Sequence, residues 1–145
     1  MAGPRVSFYV LPGSDDLQRL VTACRLVEKA WQQAHRVVVL VDGEAEARDF
    51  DELLWQFADS SFVPHAVAGL PEAADAPVLI SVAASTPATG DVLVNLSSDL
   101  PANVDGYARV AEIIDADDAR RSLGRERFRA YRERGIVPET HSLGA

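Results

Sequence analysis

Seven of the chain's fourteen basic residues crowd into one short stretch: Arg120, Arg121, Arg125, Arg127, Arg129, Arg132 and Arg134. Only Glu126 and Glu133 oppose them there, which leaves a local charge of +5 in a chain whose total is −8, so the remainder carries −13. Guanidinium groups are planar forks that pair bidentately with carboxylates and phosphates. At 100° per residue, Arg121, Arg125, Phe128, Arg129 and Arg132 share one arc of a helix roughly 100° wide, and Leu123, Arg127, Ala130, Tyr131 and Arg134 fall outside it. Three chemistries fit an aromatic ring set in a row of arginines. One is a solvated basic face with Phe128 turned into the core. Another is a receptor for a short acidic peptide with an apolar anchor. The third is direct nucleic-acid binding, which the acidic remainder opposes, because charge repulsion reaches about 8–10 Å in salt.

A second group of candidates sits mid-chain. Trp55, Phe57 and Phe62 lead into Val63 and Pro64. Trp and Phe are enriched at interface centres, and a proline-stiffened loop is pre-organised for docking. The same residues could equally cover a sheet edge. His65 follows; it could reach a carboxylate in the fold, but a loop histidine with no recognisable partner reads as structural or interfacial. His35, His65 and His141 lack metal-ligand spacing. Asp51 and Glu52 are adjacent on a helix, face different directions, and read as solvated surface.

Familiar catalytic signatures are absent. There is no G-x-x-x-x-G-K-[ST] and no G-x-S-x-G. The first strand-to-helix turn, LPGSDD, has one glycine and places two aspartates where a pyrophosphate would sit. No cofactor is expected. The single Cys24 has no disulfide partner and reads as a small buried hydrophobe. The N-terminus does not read as a signal peptide, and no apolar run nears the roughly 18 residues that span a bilayer. The cytoplasm is the expected location.

These side chains need a scaffold, and 145 residues with 48% hydrophobic and 25% charged content suit one globular domain. Residues 5–11 (RVSFYVL) and 36–41 (RVVVLV) read as buried strands. A helix runs from a cap at Ser14 or Asp15 to Ala34, and another spans 44–57. Residues 77–83 and 91–96 are further strands, separated by a segment too short for a helix; whether they pair antiparallel or flank the sheet at separate places stays open. Residues 108–114 read as an edge strand or a helix. Residues 115–134 form a long basic helix with an acidic first turn, ended by Gly135. The expectation is one α/β domain over 1–137, three-layered, with an open and mostly parallel sheet of nucleotide-binding-like topology. A loose tail is expected over 138–145.

Taken together these residues resemble a known family. Leu54-Trp55, Ser61-Phe62-Val63-Pro64-His65, Ala68-Gly69 and the run from Arg125 to Arg132 followed by Gly135 are similar, in order and spacing, to the chi subunit of bacterial DNA polymerase III. Phe8 to Leu11, Arg36 to Val38 and Asp51 to Trp55 fit as well. The resemblance covers about residues 6–136. It implies a non-catalytic replisome adaptor that joins the clamp loader through a 1:1 complex with the psi subunit. It also implies binding of the acidic, Phe-terminated tail of single-stranded DNA-binding protein. The tail positions would be Arg121, Arg125, Phe128 and Arg129, with Arg132 in the same arc. The psi surface would be Trp55, Phe62, Pro64 and His65, with Val63 beside them, and in some relatives it receives a helicase. Phe128 stands where the family often has tyrosine, and residues 115–122 (DADDARRS) are shorter and more acidic than usual. The competing reading is a small α/β nucleotide-binding protein or enzyme.

Overall fold

The computed structural model describes residues 3–57, 63–69, 73 and 76–143. Seven strands build one sheet: β1 (Arg5–Val10), β2 (Val37–Leu40), β3 (His65–Val67), β4 (Val78–Ser81), β5 (Gly90–Asn95), β6 (Tyr107–Ile114) and β7 (Glu139–Ser142). Their spatial order is β3-β4-β2-β5-β6-β1-β7, and every adjacent pair is parallel. The sheet is therefore all parallel rather than mostly so. Three helices cover it: α1 (Asp16–Gln32), α2 (Glu44–Gln56) and α3 (Asp118–Glu133).

The layers follow from the period of two along each strand. Val37, Val39, Val92, Val94 and Ile113 face α1 and α2, where they meet Ala23, Cys24, Val27, Phe50 and Leu54. Val6, Phe8, Val38, Leu93, Val110 and Ile114 face the other way and meet Tyr131 of α3. Cys24 is fully buried, and burial pushes its thiol up to about 12. Its thiolate is thus suppressed at neutral pH.

Helix ends explain the boundaries. Asp15 caps α1 by accepting from the Leu17 N–H at 3.0 Å. Both α1 and α3 close with paired 6→1 and 5→2 bonds: His35 N to Ala30 O with Ala34 N to Trp31 O, and Ile136 N to Tyr131 O with Gly135 N to Arg132 O. The left-handed residue is Gly135 (φ 82°) after α3 but Ala34 (φ 65°) after α1, where a β-carbon bears the strain.

Two sequence expectations change and one open choice closes. Residues 108–114 belong to an interior strand, β6, which pairs with both β1 and β5. The charges at Arg109 and Glu112 mimic an edge strand; in fact Arg109 sits at the exposed start and Glu112 is buried against bonding partners. The tail is not loose throughout, since β7 pairs in parallel with β1. Its residues are exposed and polar, so no hydrophobic pattern announced it. Finally, β4 and β5 flank β2 on opposite sides, joined by residues 82–89 with one short 3-10 turn. This crossover is fastened where the Tyr107 hydroxyl donates to Pro87 O at 2.5 Å. A β-carbon at Gly106 would stand 1.8 Å from Ala88 O, so only glycine fits there.

Candidate functional site

The acidic start of α3 fixes its entry. Asp117 accepts from the Arg120 N–H at 3.0 Å, and Asp115 accepts from Arg120 Nε at 2.9 Å and Nη2 at 2.8 Å. Burial alone would raise the Asp115 carboxyl. Hydrogen bonds from Arg120 and the Asp117 N–H, with the charges of Arg120 and Arg19, outweigh it and hold the group below its usual range. The Arg120 guanidinium is raised in turn, first by its hydrogen bond to Asp115.

A second arginine turns inward. Arg127 is 7% exposed and donates through Nε to Glu112 Oε1 at 3.0 Å, and through Nη1 to Ser98 O at 3.1 Å. Glu112, in the middle of β6, is 0% exposed. It also accepts from the Tyr131 hydroxyl at 2.7 Å and from Asn95 Nδ2 at 3.0 and 3.1 Å. Asn95 Oδ1 accepts from the N–H and hydroxyl of Ser97 at 2.9 and 2.6 Å. Burial, and next the Glu112 charge, push the Tyr131 hydroxyl well above its ordinary range. Removing one member of such a buried pair costs about 3–5 kcal/mol.

The remaining arginines behave differently. Arg125, Arg129 and Arg132 are exposed and Arg121 is half-buried. Among the described residues none of the four forms an ion pair or a side-chain hydrogen bond. Phe128, at the margin of the row, is partly buried and tilts onto Phe8 with ring centroids 5.3 Å apart. It is neither sealed in the core nor free of it. The structure therefore gathers Arg121, Arg125, Phe128, Arg129 and Arg132 on one face and withdraws Arg120 and Arg127 from it.

The mid-chain surface is more divided. Trp55 is 46% exposed and tilts over the His65 ring at 4.2 Å. The His65 side chain is 1% exposed. Its Nδ1 donates to Val63 O at 2.7 Å, and its Nε2 lies 3.2 Å from both the carbonyl and the carboxylate of Asp51. Val63 itself is core. Val63 and His65 therefore support this surface from beneath, while Trp55 and the half-buried Pro64 present it. Asp51 is an anchor for His65 rather than plain solvated surface. Phe62 lies outside the described residues.

The turn where nucleotide-binding α/β proteins hold phosphate is filled by the protein's own groups. Asp15 caps α1, and Asp16 pairs with Arg19 at 2.8 Å and Arg120 at 3.6 Å. Carboxylates there repel phosphate. Among the described residues no group of three or more His, Cys, Asp or Glu side chains is placed to hold a metal ion, and no helix is long and apolar enough to cross a membrane.

Sequence reasoning missed the Glu112 network, whose donors lie 15 to 19 positions from Glu112 along the chain. It also missed a groove of about 330 Å³ beside α1, lined by Arg5, Tyr9, Lys29, Arg109, Glu139 and His141 among others. There Arg5 pairs with Glu139 at 3.1 Å and Tyr9 stacks on His141 at 5.1 Å.

Fold and site together define an all-parallel α/β domain that lacks a phosphate-loop sequence and displays a row of arginines unpaired among the described residues. A family model described as "DNA polymerase III chi subunit, HolC" matches residues 4–139. A Pseudomonas aeruginosa protein named DNA polymerase III subunit chi is 40% identical over 139 residues, covering 96% of each chain. Proteins of the same name from Haemophilus influenzae and Escherichia coli K12 are each 29% identical, covering 94% and 90% of this chain and 96% and 92% of theirs. The chain belongs to the DNA polymerase III chi subunit family. Its fold is also similar to the C-terminal domain of the DEAD-box protein Dbp5, with a TM-score of 0.62 at 13% identity over 97% of this chain and 91% of that one.

Because the folded Asp115 carboxyl lies below its ordinary 3.8, its stabilisation is complete above that value and is lost as pH falls through the lowered one. Asp115→Asn is expected to be less stable at neutral pH and to lose less further stability than the parent between about pH 4 and pH 2. Urea unfolding across that range checks it; identical slopes for both proteins would contradict the assignment.

Proposed function

We propose that this chi-family chain is a non-catalytic adaptor of the replisome, in the cytoplasm. Its α3 face would capture the acidic, Phe-terminated tail of single-stranded DNA-binding protein. One observation carries the reading: four arginines around a partly exposed phenylalanine have no acidic partner within the described protein, although the chain is acidic overall. Carboxylates of the tail pair with Arg121, Arg125, Arg129 and Arg132, and its apolar end rests beside Phe128. Exposed ion pairs are individually weak, so several act together with the ring.

Isothermal titration with a short acidic peptide ending in Ile-Pro-Phe tests this, beside the same peptide lacking its final Phe. The expected Kd is on the order of micromolar and weakens as salt rises. Replacing both Arg125 and Arg129 with Ala should cost about 1–3 kcal/mol of binding and leave thermal unfolding unchanged. Undiminished binding by that variant would remove the site. Strong, salt-sensitive binding of bare single-stranded DNA through the same helix would favour direct nucleic-acid recognition instead.

The surface of Trp55 and Pro64 would receive the psi subunit in a 1:1 complex, or a helicase at the same place, and Phe62 is assigned to the same interface from the sequence alone. Its support is the exposed Trp55, whose base is fixed by the buried His65. Trp55→Ala is expected to weaken psi association about tenfold or more in a pull-down titration, with the variant's own unfolding temperature showing whether folding is intact. A well-folded variant that retains psi fully would exclude this surface.

A further inference from the structure

We infer that Glu112 is a positioning residue for the α3 face: by gripping Arg127 and Tyr131 from beneath, it sets the rotation of the helix and thereby which arginines face outward. The inference rests on the tail-docking reading above for its binding consequence, though not for its structural one.

Much of what the helix buries is part of this grip. Its buried residues are Gly124, Arg127 and Tyr131, and two of those three bond directly to Glu112. Gly124 contributes closeness instead: a β-carbon there would stand 3.0 Å from Ile114 Cγ2. The other contacts that bear on its rotation are the Arg120–Asp115 pair at its start and the packing of Phe128 and Tyr131 on Phe8. The bonds to Glu112 are directional, as packing alone is not. Arg127 lies two positions, or 200°, from both Arg125 and Arg129. Holding Arg127 against the sheet therefore turns those two toward solvent. Tyr131, three positions beyond Phe128, is held by the same carboxylate, and both rings lean on Phe8 at 6.0 and 5.3 Å. Phe128 is in this way kept at the margin between core and arginine row. Glu112 is itself held by Asn95, which is fixed by Ser97, so the reference point belongs to the centre of the sheet.

Two variants test the inference with two readouts. Glu112→Gln keeps the shape and removes the charge that Arg127 needs. Should it unfold, the combined Glu112→Leu, Arg127→Met and Tyr131→Phe variant removes the carboxylate together with the guanidinium and hydroxyl that bond to it, and apolar replacement of a buried pair is commonly tolerated. Asn95 Nδ2 retains Asp99 O as an acceptor at 3.0 Å. The first readout is the ratio of affinities for the acidic Ile-Pro-Phe peptide and the same peptide without its final Phe. The parent is expected to discriminate about tenfold, and the folded variants about twofold or less. A role in overall stability alone would move the unfolding temperature and leave that ratio unchanged. The second readout needs no peptide: the proton–proton Overhauser contact between the Phe8 and Phe128 rings, present in the parent, is expected to fade in the variants. Folded variants that keep both the parental ratio and the ring contact overturn the inference. A parent that binds neither peptide overturns the docking reading, and the ring contact alone then decides the positioning role.

Discussion

A single buried carboxylate organises one side of this protein. Glu112 lies in the interior of the sheet, out of contact with water, and its donors come from two other pieces of chain: Asn95 from β5, Arg127 and Tyr131 from α3. A charge so placed is tolerable only when fully bonded. The requirement runs in both directions, because α3, with its many arginines, has little apolar surface to dock with. At about 3–5 kcal/mol for loss of one partner, against a total stability of about 5–15 kcal/mol, this contact is a large share of what holds the helix in place.

The arginines of α3 are thereby sorted. Arg120 closes the N-terminal turn against Asp115, Arg127 enters the core, and Arg121, Arg125, Arg129 and Arg132 remain outside without partners among the described residues. Meanwhile the end of the fold that commonly serves phosphate is occupied by Asp15, Asp16 and Arg120. The topology is nucleotide-binding-like, and the turn after β1 is occupied by the protein's own charged side chains. Fold likeness to a DEAD-box domain at 13% identity accordingly speaks to architecture alone.

Much of the fold was legible because parallel strands buried on both faces spell out apolar runs, as RVSFYV and VVVL do. Failures came where tertiary contacts replace hydrophobicity. Glu112 made β6 look like an edge strand, since its partners lie far along the chain. The ETHS strand is held by pairing with β1, the Arg5–Glu139 pair and the Tyr9–His141 stack, none of which leaves a local pattern. The crossover over 82–89 depends on a tyrosine hydroxyl and a glycine contact rather than on length. The arginine row itself was readable from helical spacing, and so was the exclusion of Arg127 from it. That Arg127 would be buried, and that Val63 and His65 would support rather than form the mid-chain surface, required knowing what lies behind them.

The most direct test of the docking face is a map of backbone amide and ring resonances during titration with the acidic Ile-Pro-Phe peptide. Shifts confined to α3 between Arg121 and Arg132, together with the rings of Phe128 and Phe8, are the predicted result. Shifts gathered instead in the groove of Arg5, Lys29 and Arg109, with α3 silent, would contradict it.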